Sequence, residues 1–261
     1  MEPVQTKQNN TILQMLDYMN VPRHGVLLVH SAFKGFSREG YDAFDVLQSL
    51  LDYMQPGTLL MPTMSWRFVK PNAPYFDELK TPSNTGILSE LFRQHFASSR
   101  SVHPTHSVAG CGKWLPEILG QHHLCTTPCG ASSPFAQLVN YDAHIIMLGV
   151  GMDCCTLIHH AEEMIAPEYY VRSIQEIETY YCRDRFGTTK TVALRRHLFL
   201  PRNYWQFQNI LASQGKLRVF RCDNAICFGF SAKVLYQQVV DVLKNKPTAI
   251  MAQPGQRYRL M

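Results

Sequence analysis

The feature that most constrains this chain is the order of three short pieces near its start. An apolar run, "GVLLVHS" (25 to 31), precedes "YDAFDVLQSLLDYM" (41 to 54), and a second apolar run, "LLMPT" (59 to 63), follows. The two apolar runs are too short for buried helices and end in polar or proline punctuation, so they read as buried strands. The middle piece repeats its apolar residues at helical spacing, and "QPGT" supplies the turn after it. Strand, helix and strand in that order is a βαβ unit. It commits the chain to the α/β class: a central, mostly parallel or mixed sheet flanked by helices.

The alternation continues downstream. "GILSELFRQHF" (86 to 96) predicts a helix, and "KWLPEILG" and "SPFAQLVN" predict short helical pieces before the strand "HIIMLGV" (144 to 150). From Tyr169 the period shortens to two through "VRSIQEIETYYCRD" and "TKTVALRRH" on either side of Phe186-Gly187, which predicts a C-terminal β-hairpin. A helix over 203 to 214, strands around "KLRVF" and "ICFGF", and a helix to about Lys244 complete an α+β second half. A helix is also expected over 9 to 20. The polar stretch from Met64 to Ser83 is too long for an ordinary connection and is read as part of a site. There is no repeat or linker, so residues 1 to 261 are expected to form one domain.

Composition narrows the function. No apolar run approaches the roughly 20 residues of a bilayer-spanning helix, so no membrane partner is expected. The opening "MEPVQTKQNNTILQML" lacks a basic region followed by an apolar stretch, which places the protein in the cytoplasm. The eight cysteines include no CxxC pair and are read as reduced thiols. A net charge of +5 without a lysine and arginine run does not point to nucleic acid.

Chemistry concentrates in "DCCTLIHHAEEM" (153 to 164). Thr156 suits a helix N-cap and Pro167 closes the helix, so His159 and Glu162 share one face and His160 and Glu163 another. Spacing alone does not choose between the pairs, and three readings stand. A histidine is a general base whose second nitrogen is fixed by a glutamate. Alternatively Cys154, Cys155, His159, His160, His103 and His106 bind zinc, although no CxxC or HExxH supports that. Or the helix shows solvent a face of surface ion pairs worth little.

The ordered set "HSAFKGF" (30 to 36), "MPT" (61 to 63), "TPSNTGILSELFR" (81 to 93), "RSVHPTHSVAG" (100 to 110), "GASSPFAQL" (130 to 138) and "LGVGMDCCTLIHHAEE" (148 to 163) resembles the antibiotic N-acetyltransferase family. Its best-known members are the aminoglycoside 3-N-acetyltransferases. The resemblance implies their fold, acetyl-CoA as co-substrate, no metal, and a small-molecule amine acceptor, an amino sugar or aminoglycoside-like compound. The family's Gly-Val-Gly, Asp, Thr and His-x-x-Glu fall here on Gly149 to Gly151, Asp153, Thr156, His159 and Glu162. That register implies His159 as general base, Glu162 as its orienting group and His160 as a neighbour.

The same resemblance implies that His30, Ser31, Ala32 and Phe33 line the pantetheine arm of coenzyme A, with Ala32 replacing a usual serine and Phe33 a leucine. Ser101, Val102 and Ser107 are implied as the other acyl-donor wall, and Thr63 and Asp153 as acceptor contacts. His103 and His106 are read as loop-fixing residues. The cysteines become spectators of direct transfer. Two rivals are a CoA-binding protein without catalysis and a zinc-dependent hydrolase; the chain is expected to be a monomer or homodimer. Between Arg185 and Cys222 lie eight basic residues and no acid. That region is a solvated face, a contact for the CoA phosphates, or a wall favouring a neutral or anionic amine, such as a nucleotide-linked amino sugar, over a polycationic drug, while the acids just upstream, among them Asp153, Glu162, Glu176 and Glu178, leave a local negative pocket open.

Overall fold

The computed structural model describes residues 4–261; the first three residues, where the polar N-terminal stretch begins, lie outside them. The expected βαβ unit is β1 (Val26–Ser31), α3 (Ala43–Met54) and β2 (Thr58–Pro62), with α1 (Val4–Tyr18) before it and the short α2 (Lys34–Arg38) inside it. Asp42 caps α3 by accepting the N–H groups of Phe44 and Asp45. Next come β3 (Tyr75–Asp77), α4 (Ile87–His95), β4 (Ser99–Arg100), β5 (Val108–Gly112), α5 (Leu115–Leu119), α6 (Pro134–Asn140) and β6 (His144–Leu148). The second half holds α7 (Leu157–Ile165), α8 (Pro167–Tyr170), the predicted hairpin β7 (Glu178–Arg183) and β8 (Thr189–Leu194), then β9 (Pro201–Arg202) and α9 (Trp205–Ser213). It closes with β10 (Arg218–Cys222), β11 (Ala225–Ser231), α10 (Ala232–Asn245) and β12 (Arg259–Leu260).

The seven-stranded sheet runs β10-β11-β6-β1-β2-β5-β4. Its centre, β6-β1-β2, is parallel, while β11 and β5 join antiparallel on either side, so the sheet is mixed. Because strand side chains alternate faces, Leu27 and Val29 pack with α1, α3 and α4 on one side. Val26 and Leu28 pack with α6, α7 and α10 on the other. Both faces of the parallel centre are thus covered, which is why its strands read as unbroken apolar runs. A small second sheet, β3-β7-β8, closes over Val69, Phe76, Tyr180 and Val192. The 64 to 83 excursion supplies β3, which pairs parallel to β7. No helix among the described residues is long and apolar enough to cross a membrane.

Candidate active site

A cleft of about 980 Å³ opens where the parallel strands end. Its floor is His30 and Ser31 from β1, Pro62 from β2, and Gly149 to Gly151 after β6, the carboxyl edge at which open α/β sheets bind ligands. Gly149 makes the turn off β6 with φ +66, and a Cβ there would meet the Ala32 carbonyl and the Phe36 ring at 3.0 Å each.

Helix α7 follows that turn and borders the cleft with His159. Thr156 holds the N-cap position but makes no side-chain cap. With α6 and α10 packed against it, α7 buries His159, His160, Glu162 and Glu163 together, so the solvated-face reading is corrected. His159 Nδ1 meets Glu162 Oε2 at 2.7 Å, and the Tyr204 hydroxyl stands 2.9 Å from the same nitrogen while donating to Glu162 Oε1 at 3.0 Å. Arg202, fully buried, donates through Nε to both Glu162 oxygens at 3.0 and 3.2 Å. Burial alone would raise the Glu162 carboxyl, but His159 and Arg202 hold it below its ordinary value. Glu162 is therefore ionised and accepts the Nδ1 proton of His159, which leaves Nε2 as the lone-pair nitrogen. Burial draws the His159 imidazole below its ordinary value, Glu162 works against that, and Arg202 adds to it. The larger cause is burial.

His160 belongs elsewhere: its Nδ1 donates to the Cys129 carbonyl at 2.7 Å and its ring stacks on Tyr236. A second histidine, His197, lies face to face with His159, ring centres 4.1 Å apart, and its Nε2 is 2.6 Å from Glu163 Oε1. Sequence reasoning did not find Arg202, Tyr204 or His197, and it weighed Glu163 only as a partner of His160. The one available signal was the acid-free basic stretch, in which Arg202 is the cation that needs an acid from another element.

Of the residues predicted for the site, the cleft gathers His30, Ser31, Ala32, Asp153 and His159, with Glu162 directly behind His159. Phe33, Thr63, Ser101, Val102 and Ser107 stand outside its wall. Thr63 and Ser107 turn inward to Arg100, whose Nε donates to their hydroxyls at 3.1 and 3.0 Å. Ser101 Oγ lies 2.9 Å from His122 Nδ1 and accepts the Val108 N–H, while Val102 packs on the second sheet's core. Phe33 stacks on Phe36. From that stretch, Thr105 and His106 reach the cleft instead. His103 fixes the loop, its Nδ1 accepting the N–H groups of Thr105 and His106.

Among the described residues, three buried polar atoms bordering the cleft have neither a hydrogen bond nor an ion pair: His30 Nε2, Ser31 Oγ and Asn84 Nδ2. Burial holds His30 down to about 3, so it is neutral. Unpaired buried donors and acceptors are costly unless a ligand meets them, and these suit one with amide groups. Burial pushes the Cys155 thiol up to about 12 and raises Cys154, so neither is a thiolate at neutral pH. The residues weighed for zinc do not converge. Among the described residues, the donors that do are Cys129, Glu163 and His197, within 4.8 Å. They form a hydrogen-bonded chain, Glu163 also accepting the Cys129 N–H at 2.8 and 3.0 Å.

Of the eight basic residues between Arg185 and Cys222, only Arg196 lines the cleft; Arg185 pairs with Glu78 and Arg202 with Glu162. Arg67, Arg172 and Arg259 join Arg196 there. Among the described residues the one Asp or Glu side chain lining the cleft is Asp153, bound by Arg259 at 3.0 Å, and Glu178, behind the wall, contacts Arg172 and Arg196 at 3.5 and 2.7 Å.

Residues 28–244 match a family described as aminoglycoside 3-N-acetyltransferase. The SPbeta prophage-derived aminoglycoside N(3')-acetyltransferase-like protein YokD of Bacillus subtilis is 29% identical over 61% of this chain and 65% of its own length. Aminoglycoside N(3)-acetyltransferase IV of a Salmonella species is 31% identical over 65% of this chain and 68% of its own. The chain thus aligns with about two thirds of these relatives' length. The YokD crystal structure superposes with a TM-score of 0.77 at 23% identity, covering 92% of this chain and 94% of that one. A structure named AAC-IIIb binary with CoASH superposes at 0.73 and 19% identity, covering 97% and 99%. At those identities the likeness is one of fold.

Proposed function

This chain belongs to the aminoglycoside 3-N-acetyltransferase family, and from that premise we propose that it is an acyltransferase moving the acetyl group of acetyl-CoA to an amine of an amino sugar or aminoglycoside-like acceptor. The observation that carries this reading is His159, held through Nδ1 by the ionised Glu162 and, among the described residues, without a hydrogen-bond partner on Nε2 at the cleft. An amine attacking a thioester sheds a proton, and a neutral imidazole beside it is the group to receive it. Glu162, kept ionised by Arg202, fixes the tautomer and stabilises the imidazolium that forms. The unpaired Ser31 Oγ and His30 Nε2 support the strand end as the place for the pantetheine arm. A related structure whose name records bound CoASH supports the donor.

The test is CoA release from acetyl-CoA with a panel of amines. His159→Gln is expected to lower kcat by about 100- to 10,000-fold while acetyl-CoA binding is kept. His160→Gln is expected to cost stability and spare most turnover. A crippled His160 variant beside a mild His159 variant would overturn the register. Absence of CoA release with every amine would favour a binding protein, and stoichiometric zinc in the purified protein would revive the hydrolase.

The cleft charge supports a finer reading of the acceptor. Four arginines line the cleft, Arg259 paired with Asp153 and Arg172 and Arg196 sharing Glu178, so the net excess is a modest positive charge that disfavours a polycation and suits phosphate. The acceptor is a neutral or anionic amine, such as an amino sugar on a nucleotide diphosphate. Efficient acetylation of kanamycin-type compounds, with none of nucleotide-linked amino sugars, would sink it.

A further inference from the structure

Helix α7 carries two consecutive glutamates, and each holds a different histidine at the cleft. Glu162 holds His159 through Nδ1 at 2.7 Å, and Glu163 holds His197 through Nε2 at 2.6 Å. The imidazoles stack 18° from parallel, and both border the cleft. Base catalysis uses only the first.

The two carboxyls differ. Glu162 is bound by Arg202, whereas Glu163 makes no ion pair with a lysine or arginine among the described residues: its oxygens take the Cys129 N–H, and the Thr127 hydroxyl and the more distant Arg195 offset burial and the neighbouring Glu162 only in part. Burial pushes Glu163 up to about 8, so at neutral pH it is a carboxylic acid. His197 faces His159, His106, His103, Arg202 and Glu163, and burial, with those neighbouring imidazoles, keeps it neutral. An acid beside a neutral imidazole donates its proton to Nε2, and the ring's own proton then sits on Nδ1, which has no protein partner among the described residues. The pair is therefore complementary: His159 shows the cleft a lone pair, and His197 shows it an N–H.

We propose that His197 Nδ1–H is the hydrogen-bond donor to the thioester carbonyl oxygen, set in that tautomer by Glu163. The proposal rests on the acetyl-transfer reading. The free amine's nitrogen bonds to the thioester carbon, and the carbonyl oxygen takes the displaced electron pair and is held by His197. His159 Nε2 accepts the proton the nitrogen sheds. The oxyanion then reforms the carbonyl, the C–S bond breaks, and the departing thiolate leaves as a thiol with the proton His159 took. His197 is thus a catalytic residue and Glu163 a positioning one.

The tautomer is read from imidazole ¹⁵N shifts of the wild-type chain, and the role from turnover with acetyl-CoA and an amine from the panel. The shifts are expected to place the His197 proton on Nδ1. His197→Phe is expected to lose about 100- to 1,000-fold in kcat with the acetyl-CoA KM unchanged, and His197→Asn to regain part of that, because its amide restores a donor. Glu163→Leu removes the donor to Nε2 and is expected to lower kcat at pH 7, whereas Glu163→Gln returns an N–H to Nε2 and is expected to recover most of that loss and to lose the fall in rate above about 8. A proton on Nε2, an undiminished kcat in His197→Phe, or a collapse of Glu163→Gln at pH 7 overturns the proposal while leaving acetyl transfer by His159 standing. A wild-type chain inactive with every amine sinks both.

Discussion

At the scale of single residues, the buried pair Arg202 and Glu162 tempers how far burial lowers the basicity of His159. Both side chains are fully buried, so each is tolerable only because the other is there. Arg202→Met is expected to destabilise the protein by about 3–5 kcal/mol, since it strands a buried carboxylate. It should also lower kcat by letting Glu162 protonate and release its hold on Nδ1. Adding Glu162→Leu to that variant should recover stability and not activity, a contrast that denaturant unfolding and CoA release can read. The His159 and Glu162 pairing was legible in the sequence because three residues along a helix is a fixed distance. Arg202 and Tyr204 were not legible, because they arrive about 40 positions later through the packing of other elements.

At the scale of elements, the strands and helices that bury a periodic face were visible, and those that lack one were not. The parallel centre of the sheet announced itself as unbroken apolar runs. Strand β5, "VAGCG", carries two glycines and no alternation, and its antiparallel place beside β2 left no local mark. Helix α7 looked amphipathic, but its polar side chains are polar for one another and not for water. The turn from β6 into α7 is the most exacting junction. Gly149→Ala is expected to cost about 1–2 kcal/mol for a left-handed residue with a Cβ. By pressing on Ala32 it should also raise the KM for acetyl-CoA more than it lowers kcat; steady-state kinetics of the variant checks both.

Across the whole molecule, burial keeps many histidines neutral, among them His30 and His122 down to about 3 and His144 down to about 4. Their folded values lie below the unfolded one, so the stability they allow is present above about 6.5 and is lost as pH falls towards those values. Glu163 is the reverse case: raised to about 8, it favours the folded state below about 4.5 and withdraws that contribution as pH climbs to 8. The melting temperature is expected to peak near pH 6.5 and fall on both sides, with Glu163→Gln flattening only the alkaline slope. Persistence of that slope in the variant would assign it to other groups. The stacked imidazoles carry a last consequence. Rings 4.1 Å apart cannot both be cationic, so the site has a seat for one proton. An ammonium must shed two on its way to an amide. One of them therefore leaves in bulk water, before the encounter. The enzyme thus sorts acceptors by acidity as well as shape: an amine with a pKa near 10 offers about one molecule in a thousand in usable form at neutral pH, and one nearer 8 about a tenth.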